Sequence, residues 1–352
     1  MATNTRSAGR ARGGTCYRRV APSSPVTQVL PSPAPGGIGG FQGAETAISA
    51  EPLPLHPAAV RVSSARAALA RVLWMVKPTR VYVPDWICDT VLGPVRQSGA
   101  EVVRVPLGLD LLPIELPTPG EDELLLLLNA FGLAGQRVAA AAGLGSRLLV
   151  DATQALYQPP PSGCWGIASV RKFLGVPDGA MLWSPRAITA PSTSQEAVST
   201  AHLVARAAGD PGALELYRRN EAALSTDYVG PSPASDNLLD RIDHAQVRAR
   251  RLRNVRVLHD RLKAHNQLAL PDEWPSGVVP LAYPFLPSPS LPHTALYARQ
   301  IWAPCLWPER RDDAEAHPLT RRLARELLPL PCDQRYDAVH MHHIADVVCA
   351  AS

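Results

Sequence analysis

The chain has 352 residues, 46% of them hydrophobic and 19% charged, which is the composition of a globular protein with a large domain and a smaller companion. Its formal charge of +4 comes from the N-terminal tail, which holds five arginines and no acid: Arg6, Arg10, Arg12, Arg18 and Arg19. Because the remaining body is close to neutral, a nucleic-acid-binding surface is excluded.

The six cysteines include no Cys-x-x-Cys pair and no Cys/His cluster of the zinc type, so no metal is expected. So few cysteines in so long a chain indicate reduced thiols in a cytoplasmic protein. No hydrophobic stretch reaches the roughly 20 residues that a membrane helix needs. The arginines of the N-terminus precede no continuous apolar segment, so no secretory signal is expected either.

Residues 1–50 are rich in Pro, Gly, Ser, Ala and Arg, which is typical of a disordered arm. A helix with Ser63 or Ser64 as its N-cap is predicted to run to Met75. Short apolar strands then alternate with helices. The strands are expected at 81–84, 102–105 and 123–129, in the stretches that end at Asp151 and Val170, and at 180–183; the helices between them are expected at 90–97 and 138–144.

Residues 186–226 have a helical pattern with breaks at Pro191 and Pro211, and a long basic helix is predicted over 238–265. The segment from 268 to 352 has two strand candidates, 278–283 and 300–302, and two helices. The whole pattern predicts an α/β protein: a large domain (51–240) with a mostly parallel sheet covered by helices, and a smaller C-terminal α+β domain (241–352).

Ligands of such sheets bind beyond the carboxyl ends of the strands, where Asn129, Asp151 and 169–172 are expected to lie. The chain has only three lysines, at 77, 172 and 263, against a large excess of arginine. Arginine stays protonated and cannot form an imine, whereas a desolvated lysine can. Lys172 is therefore interpreted as the lysine of a Schiff base with pyridoxal phosphate, and the alternative is a surface lysine at a strand end.

Several motifs together resemble the DegT/StrS-type aminotransferases, which are pyridoxal-phosphate enzymes of fold type I that aminate keto-sugars on nucleotide carriers. The resemblance runs from about Gly37 to the C-terminus, and 37–41 could equally be the end of the arm. The matching stretches are 63–69, 83–88, 129–132, 151–155, 169–172 and 330–336. The resemblance implies a homodimer with cofactor sites at the subunit interface and transfer of an amine, from glutamate, to a nucleotide-linked keto-sugar.

The resemblance also implies roles around the cofactor ring. Lys172 would hold the cofactor and carry the proton, and Asp151 would pair with the pyridine nitrogen. Trp86 would stack on the ring, Gln154 would lie beside its 3′ oxygen and Asn129 would touch its face. Each has an ordinary alternative: a helix cap for Asp151, a core side chain for Trp86 and a loop glutamine for Gln154.

For the phosphate, the unpaired N–H groups at the start of the helix after Val62 are suitable, at Ser64 and Ala65, with a further oxygen contact from Ser169. A plain serine cap is the alternative. The run after the lysine, 173–180, departs from the family's glycine-rich pattern, which leaves open a catalytically silent binding protein of this fold. A pyridoxal enzyme acting on a small amino acid is also open, whereas a sugar dehydratase is disfavoured because those relatives replace the lysine.

Overall fold

The computed structural model describes Met1 and residues 37–51, 54–194 and 198–351. Strands within these ranges are β1 Ile38–Gly39, β2 Val60–Val62, β3 Arg80–Pro84, β4 Glu101–Val105, β5 Glu123–Leu128, β6 Leu148–Asp151, β7 Trp165–Ser169, β8 Ala180–Trp183, β9 Tyr283–Phe285, β10 Ile301–Trp302 and β11 Leu328–Leu330. The helices are α1 Ala65–Val76, α2 Asp89–Gln97, α3 Gly135–Ala140, α4 Ala201–Ala207, α5 Ala213–Ala223, α6 Pro233–Leu239, α7 His244–Leu262, α8 His293–Tyr297, α9 Pro318–Glu326 and α10 Ala338–Ala351.

Seven strands form the main sheet in the order β2-β8-β7-β6-β5-β3-β4. Only β8 runs antiparallel to its neighbours among these described strands, and all other pairs are parallel. The prediction of a mostly parallel sheet is therefore confirmed. Strand β2 was not predicted, because its three residues are too few to show a period. Six of the strands point the same way, so β2 to β7 all end at one edge of the sheet.

Both faces of the sheet are covered, as the leucine run of β5 shows. Leu124 and Leu126 pack into a cluster with the apolar residues of α1 and α2, whereas Leu125 and Leu127 pack into a second cluster with residues of α3, α6 and α7. Successive side chains of a strand point to opposite faces, so a continuous apolar run predicts burial on both sides. Burying each such leucine contributes about 1.5–3 kcal/mol.

Helix α1 begins at the carboxyl edge because Ser64 caps it. The Ser64 Oγ accepts the Ala67 N–H at 3.0 Å, which satisfies one of the free donors of the first turn. The helix ends at Lys77, whose left-handed backbone lets its N–H bond to the Leu73 carbonyl. The cap thus fixes the N-terminus of α1 beside the ends of the central strands.

A separate apolar cluster fills the C-terminal part of the chain, where α7 and α10 pack against the antiparallel pair β9–β11. The strand expected at 278–283 is wrong in position, because the observed strand is Tyr283–Phe285. Carbonyls of the expected stretch bond to side chains instead: Trp274 Nε1 donates to Val278 O at 2.8 Å, and Arg251 Nη1 donates to the carbonyls of Pro280 and Leu281.

The long basic helix predicted over 238–265 is also wrong in extent, since two helices, α6 and α7, cover most of it. Asp243 separates them as the N-cap of α7, with its Oδ1 accepting the Gln246 N–H at 2.8 Å. Aspartate favours such a cap over a helix interior, because its short side chain bonds to nearby backbone.

Most of the expected N-terminal arm, 2–36, lies outside the described residues. Its last part differs from the expectation, because Ile38–Gly39 forms β1 and pairs in parallel with β10. Gly39 has φ +95°, and a Cβ there would collide with the Trp302 carbonyl oxygen, so the close approach of β1 to β10 requires glycine. No helix among the described residues is both long and apolar enough to cross a membrane.

Candidate active site

The carboxyl edge of the sheet contains a cavity of about 110 Å³. The structure brings five of the predicted site residues together on its wall: Ser64, Ala65, Asp151, Ser169 and Lys172. We call it the strand-edge cavity. The parallel strands β6 and β7 form its floor, because they end side by side at Asp151 and Ser169. A single 3₁₀ turn, Val170–Lys172, follows β7 and places the lysine at the same edge.

Lys172 and Asp151 are connected through Thr153. The Lys172 amine donates to the Thr153 hydroxyl at 3.1 Å, and the Thr153 backbone N–H donates to Asp151 Oδ1 at 2.9 Å. Thr153 was not among the predicted site residues. Its position in the sequence could have identified it, because a hydroxyl residue two positions after an acid that ends a strand can fold back toward the same edge of the sheet.

Asp151 is only 3% exposed, yet its carboxylate is in none of the ion pairs of the described residues. Burying a charge is costly unless a partner compensates it. One Asp151 oxygen is used by Thr153, and the carboxylate also faces the cavity. The arrangement therefore suits a cationic group placed inside the cavity.

The N-terminus of α1, a helix of 12 residues, offers hydrogen-bond donors to a negatively charged group. Within the ranges that the structure covers, the backbone N–H groups of Ala65 and Arg66 have no acceptor, and the buried Ser63 hydroxyl has no partner. The Ser64 hydroxyl is already used, because it caps α1 and donates to the Ser225 carbonyl at 2.9 Å. Free amides and the positive end of the helix dipole make this wall suitable for an anion.

Two arginines and one acid, to which the sequence analysis gave no role, complete the same wall. Arg66 donates to the Glu221 carbonyl at 2.7 Å, and Arg171 forms an ion pair with the Glu221 carboxylate. Burial acts to lower the pKa of Arg171, but the Glu221 charge outweighs it and the pKa is raised, so the guanidinium stays charged. Glu221 belongs to α5, 50 residues after its partner Arg171, and no local pattern marks it.

Three predicted residues do not line the cavity. Trp86 is completely buried and packs at 4.2 Å between ring centroids against Trp307, in the position of a core side chain. Asn129 donates to the Gln158 side chain at 2.7 Å and accepts the Ala134 N–H, so it shapes the turn after β5.

Gln154 is the third predicted residue that lies away from the cavity. Its Oε1 accepts the Phe131 N–H at 3.0 Å, and its backbone carbonyl accepts the Leu281 N–H. The side chain is buried and joins the turn after β5 to the turn after β6. The structure therefore gives Gln154 an architectural contact at the point where the sequence suggested a ligand contact.

A second cavity, of about 280 Å³, adjoins the first at Arg171 and Lys172. Phe41, Tyr217 and Trp302 supply aromatic rings to its wall, so we call it the aromatic cavity. Phe41 and Tyr217 stack with 4.5 Å between ring centroids. The Phe41 backbone is held on both sides, because its carbonyl accepts Arg335 Nη1 at 2.9 Å and Arg206 Nε at 3.4 Å.

The unusual run after Lys172 is firmly held. Arg251 is fully buried and donates to the Phe173 carbonyl at 3.1 Å, and Gln334 Nε2 donates to the same carbonyl at 2.8 Å. The buried Asp178 carboxylate accepts the N–H and hydroxyl of Ser232 at 2.7 and 2.6 Å. The run 173–178 is thus held by contacts from the N-cap of α6, from α7 and from the turn before α10.

No protein-family model matches the sequence, and no curated protein gives a significant match. Solved structures do match. A DegT DnrJ EryC1 StrS aminotransferase from Brucella abortus is 15% identical, with a TM-score of 0.55 over 83% of this chain and 85% of that one. S. venezuelae DesV in complex with a ketimine intermediate is 20% identical, with a TM-score of 0.56 over 82% and 83%. E. coli GDP-4-keto-6-deoxy-D-mannose-3-dehydratase with bound hydrated PLP is 14% identical, with a TM-score of 0.55 over 82% and 87%. The chain therefore has the fold that these enzymes share.

Proposed function

We propose that the protein is a pyridoxal-phosphate-dependent aminotransferase that moves an amino group from an amino acid, glutamate, to a nucleotide-linked keto-sugar. The observation that carries the proposal is the joint placement of the Lys172 amine and the unpaired Asp151 carboxylate on one cavity. The solved relatives of the fold include a sugar aminotransferase and an enzyme with bound PLP, which supports the same assignment.

The residues present fit the cofactor. Pyridoxal phosphate combines a basic ring nitrogen, an aldehyde and a phosphate, and when bound it supplies an electron sink for bond cleavage at an amine-bearing carbon. Asp151 would hold the charged ring nitrogen, and Lys172 would meet the aldehyde. The free amides of Ala65 and Arg66, with Ser169, would hold the phosphate. The buried Asp151 carboxylate without an ion-pair partner and the free amides of Ala65 and Arg66, all on the cavity wall, are the structural observations that favour this fit.

The chain's own groups have separate tasks. The Asp151 carboxylate stabilises the positive charge of the ring nitrogen, and the N-terminus of α1 positions the phosphate. Lys172 borders both cavities, so its Nζ can move a proton to or from a molecule in the aromatic cavity, with the Thr153 hydroxyl as its hydrogen-bond partner. The aromatic walls offer flat apolar faces to a substrate ring.

We also propose a homodimer, and a division of the chain near residue 240 into a cofactor-binding domain and a smaller C-terminal domain. The position of α7 supports that boundary, because Val255, Leu258 and Leu262 belong to the C-terminal apolar cluster. We further propose that the protein acts in the cytoplasm.

The test uses the purified full-length protein. We expect a visible absorption band that borohydride abolishes, with the reduced cofactor found by mass spectrometry on the peptide that contains Lys172. Lys172→Ala should lose the band, whereas Lys263→Ala should keep it, since Lys263 is an exposed lysine that donates to the Asp272 carbonyl.

A wild-type protein that takes up no added pyridoxal phosphate would overturn the proposal in favour of a binding protein of this fold. Amine transfer from glutamate to a panel of nucleotide-linked keto-sugars then tests the substrates. Amine transfer only to small keto acids would support the assignment of the cofactor but refute a sugar as the acceptor. Loss of the sugar's 3-hydroxyl instead of amine transfer would indicate a dehydratase.

A further inference from the structure

Trp307 is the unexpected member of the strand-edge cavity. It belongs to the C-terminal part of the chain, between β10 and α9, yet it lines the cavity together with Lys172 and Asp151. Its backbone is left-handed, with φ +54° and ψ 57°. A bulky non-glycine residue rarely adopts this conformation, and it persists only where the surroundings hold it.

A buried ion pair supplies that hold. Arg310, one 3₁₀ turn after Trp307, pairs with the carboxylate of Asp85, which directly follows β3. Both side chains are only 4% exposed. The second Asp85 oxygen accepts the His317 N–H at 2.8 Å, so the segment 307–317 is attached to Asp85 at Arg310 and again at His317.

Trp86 stands behind Trp307. The two indoles meet edge to face at 69°, and Trp86 reaches neither cavity. Nor does its Nε1 have a hydrogen-bond partner in the described part of the chain. The aromatic residue that the turn after β3 supplies therefore supports the cavity wall from outside, and the ring at the wall itself comes from the C-terminal segment.

We propose that Trp307 is the aromatic side chain that contacts the bound cofactor, and that Asp85 and Arg310 are a positioning pair that holds it there. The inference rests on the proposed function, because it takes pyridoxal phosphate as the occupant of the strand-edge cavity. It adds a contact from the C-terminal segment to a site whose other walls belong to the sheet, to the turns that follow its strands, and to α1, α2 and α5.

The test titrates apoenzyme with pyridoxal phosphate and follows the visible absorption band and the induced circular dichroism. We expect Trp307→Leu to weaken cofactor binding roughly 2- to 10-fold, as for loss of one aromatic contact, and to reduce the induced signal. Trp307→Phe should keep most of the affinity and serves as the variant that folds if leucine does not. Trp74→Leu is the matched control, since Trp74 is an exposed tryptophan of α1 away from both cavities.

A double-mutant cycle separates positioning from general stability. Asp85→Asn should weaken cofactor binding in the wild-type background and have no further effect on it in Trp307→Leu. If the wild type and Trp74→Leu bind the cofactor and both Trp307 variants match them in affinity and induced signal, the inference is overturned while the proposed function stands. If the wild type itself binds no cofactor, both are overturned.

Discussion

Removing the Asp85 carboxylate should destabilise the whole protein, because it leaves the buried Arg310 charge without its main partner. Breaking a buried ion pair from one side costs about 3–5 kcal/mol. Here Arg310 keeps Asp313, whose side chain is 31% exposed and so compensates part of the charge. Asparagine can still accept the His317 N–H that now bonds to Asp85 Oδ2 at 2.8 Å. We therefore expect Asp85→Asn to lower the free energy of unfolding by about 3 kcal/mol, at the lower end of that range.

Urea unfolding monitored by circular dichroism measures this change, with the slope against denaturant as the check that the two proteins unfold comparably. Asp346→Asn is the control, because Asp346 pairs with Arg261 at 2.7 Å on the surface, with side-chain exposures of 66% and 38%. An exposed pair contributes about 0–1 kcal/mol. Equal losses in Asp85→Asn and Asp346→Asn would refute the reasoning that burial makes the first pair important.

Three further outcomes are expected. Burial lowers the pKa of both His56 and His244 below the ordinary value of about 6.5, so the unfolded chain binds more protons than the folded one as the pH falls below that value. The stability that these residues give is therefore present above about pH 6.5 and is lost as the pH falls through their lowered pKa values. His244→Gln should reduce the loss of stability measured between pH 7.5 and 5. Gly39→Ala should cost more than about 1 kcal/mol in thermal unfolding, whereas Gly143→Ala, whose Cβ would meet open space, should not. Asp178→Asn should lower the free energy of unfolding by about 2 kcal/mol, as for loss of a charge-assisted contact, and an unchanged unfolding midpoint would contradict that.

The sequence predicted the sheet and much of the candidate site for one physical reason. Parallel strands place their carboxyl ends at a common edge, so Asp151 and 169–172 could be brought together from local patterns, and the resemblance added the capped helix at Ser64. Contributions from remote segments could not be found this way. Glu221 and Trp307 reach the cavity only because α5 and the segment after β10 fold back over the edge, and no periodicity in their own sequences marks that contact.

The same distinction explains why Trp86, Asn129 and Gln154 were assigned to a ligand. Each lies at or just after a strand end, as a site residue should, but a turn after a strand also needs its backbone donors satisfied. Gln154 and Asn129 accept the N–H groups of the turn after β5, and Trp86 fills the space beneath Trp307. Position along the chain identifies the edge, and only packing decides which side chains face the cavity.

Lys172 lies between two cavities of different character. The strand-edge cavity combines a carboxylate, free amides and arginines, whereas the aromatic cavity is mostly apolar, so the two favour different parts of a bound molecule. The amine is shared, and its turn is fixed by Arg251 and Gln334 through the Phe173 carbonyl. The aromatic wall, in contrast, depends on Phe41 in the N-terminal segment, which Arg206 and Arg335 hold from two different elements. Gln334 joins the two regions, because its Nε2 donates both to the Phe173 carbonyl at 2.8 Å and to Glu45 of the N-terminal segment at 2.9 Å. The lysine's turn and the aromatic wall are therefore held by one connected set of contacts.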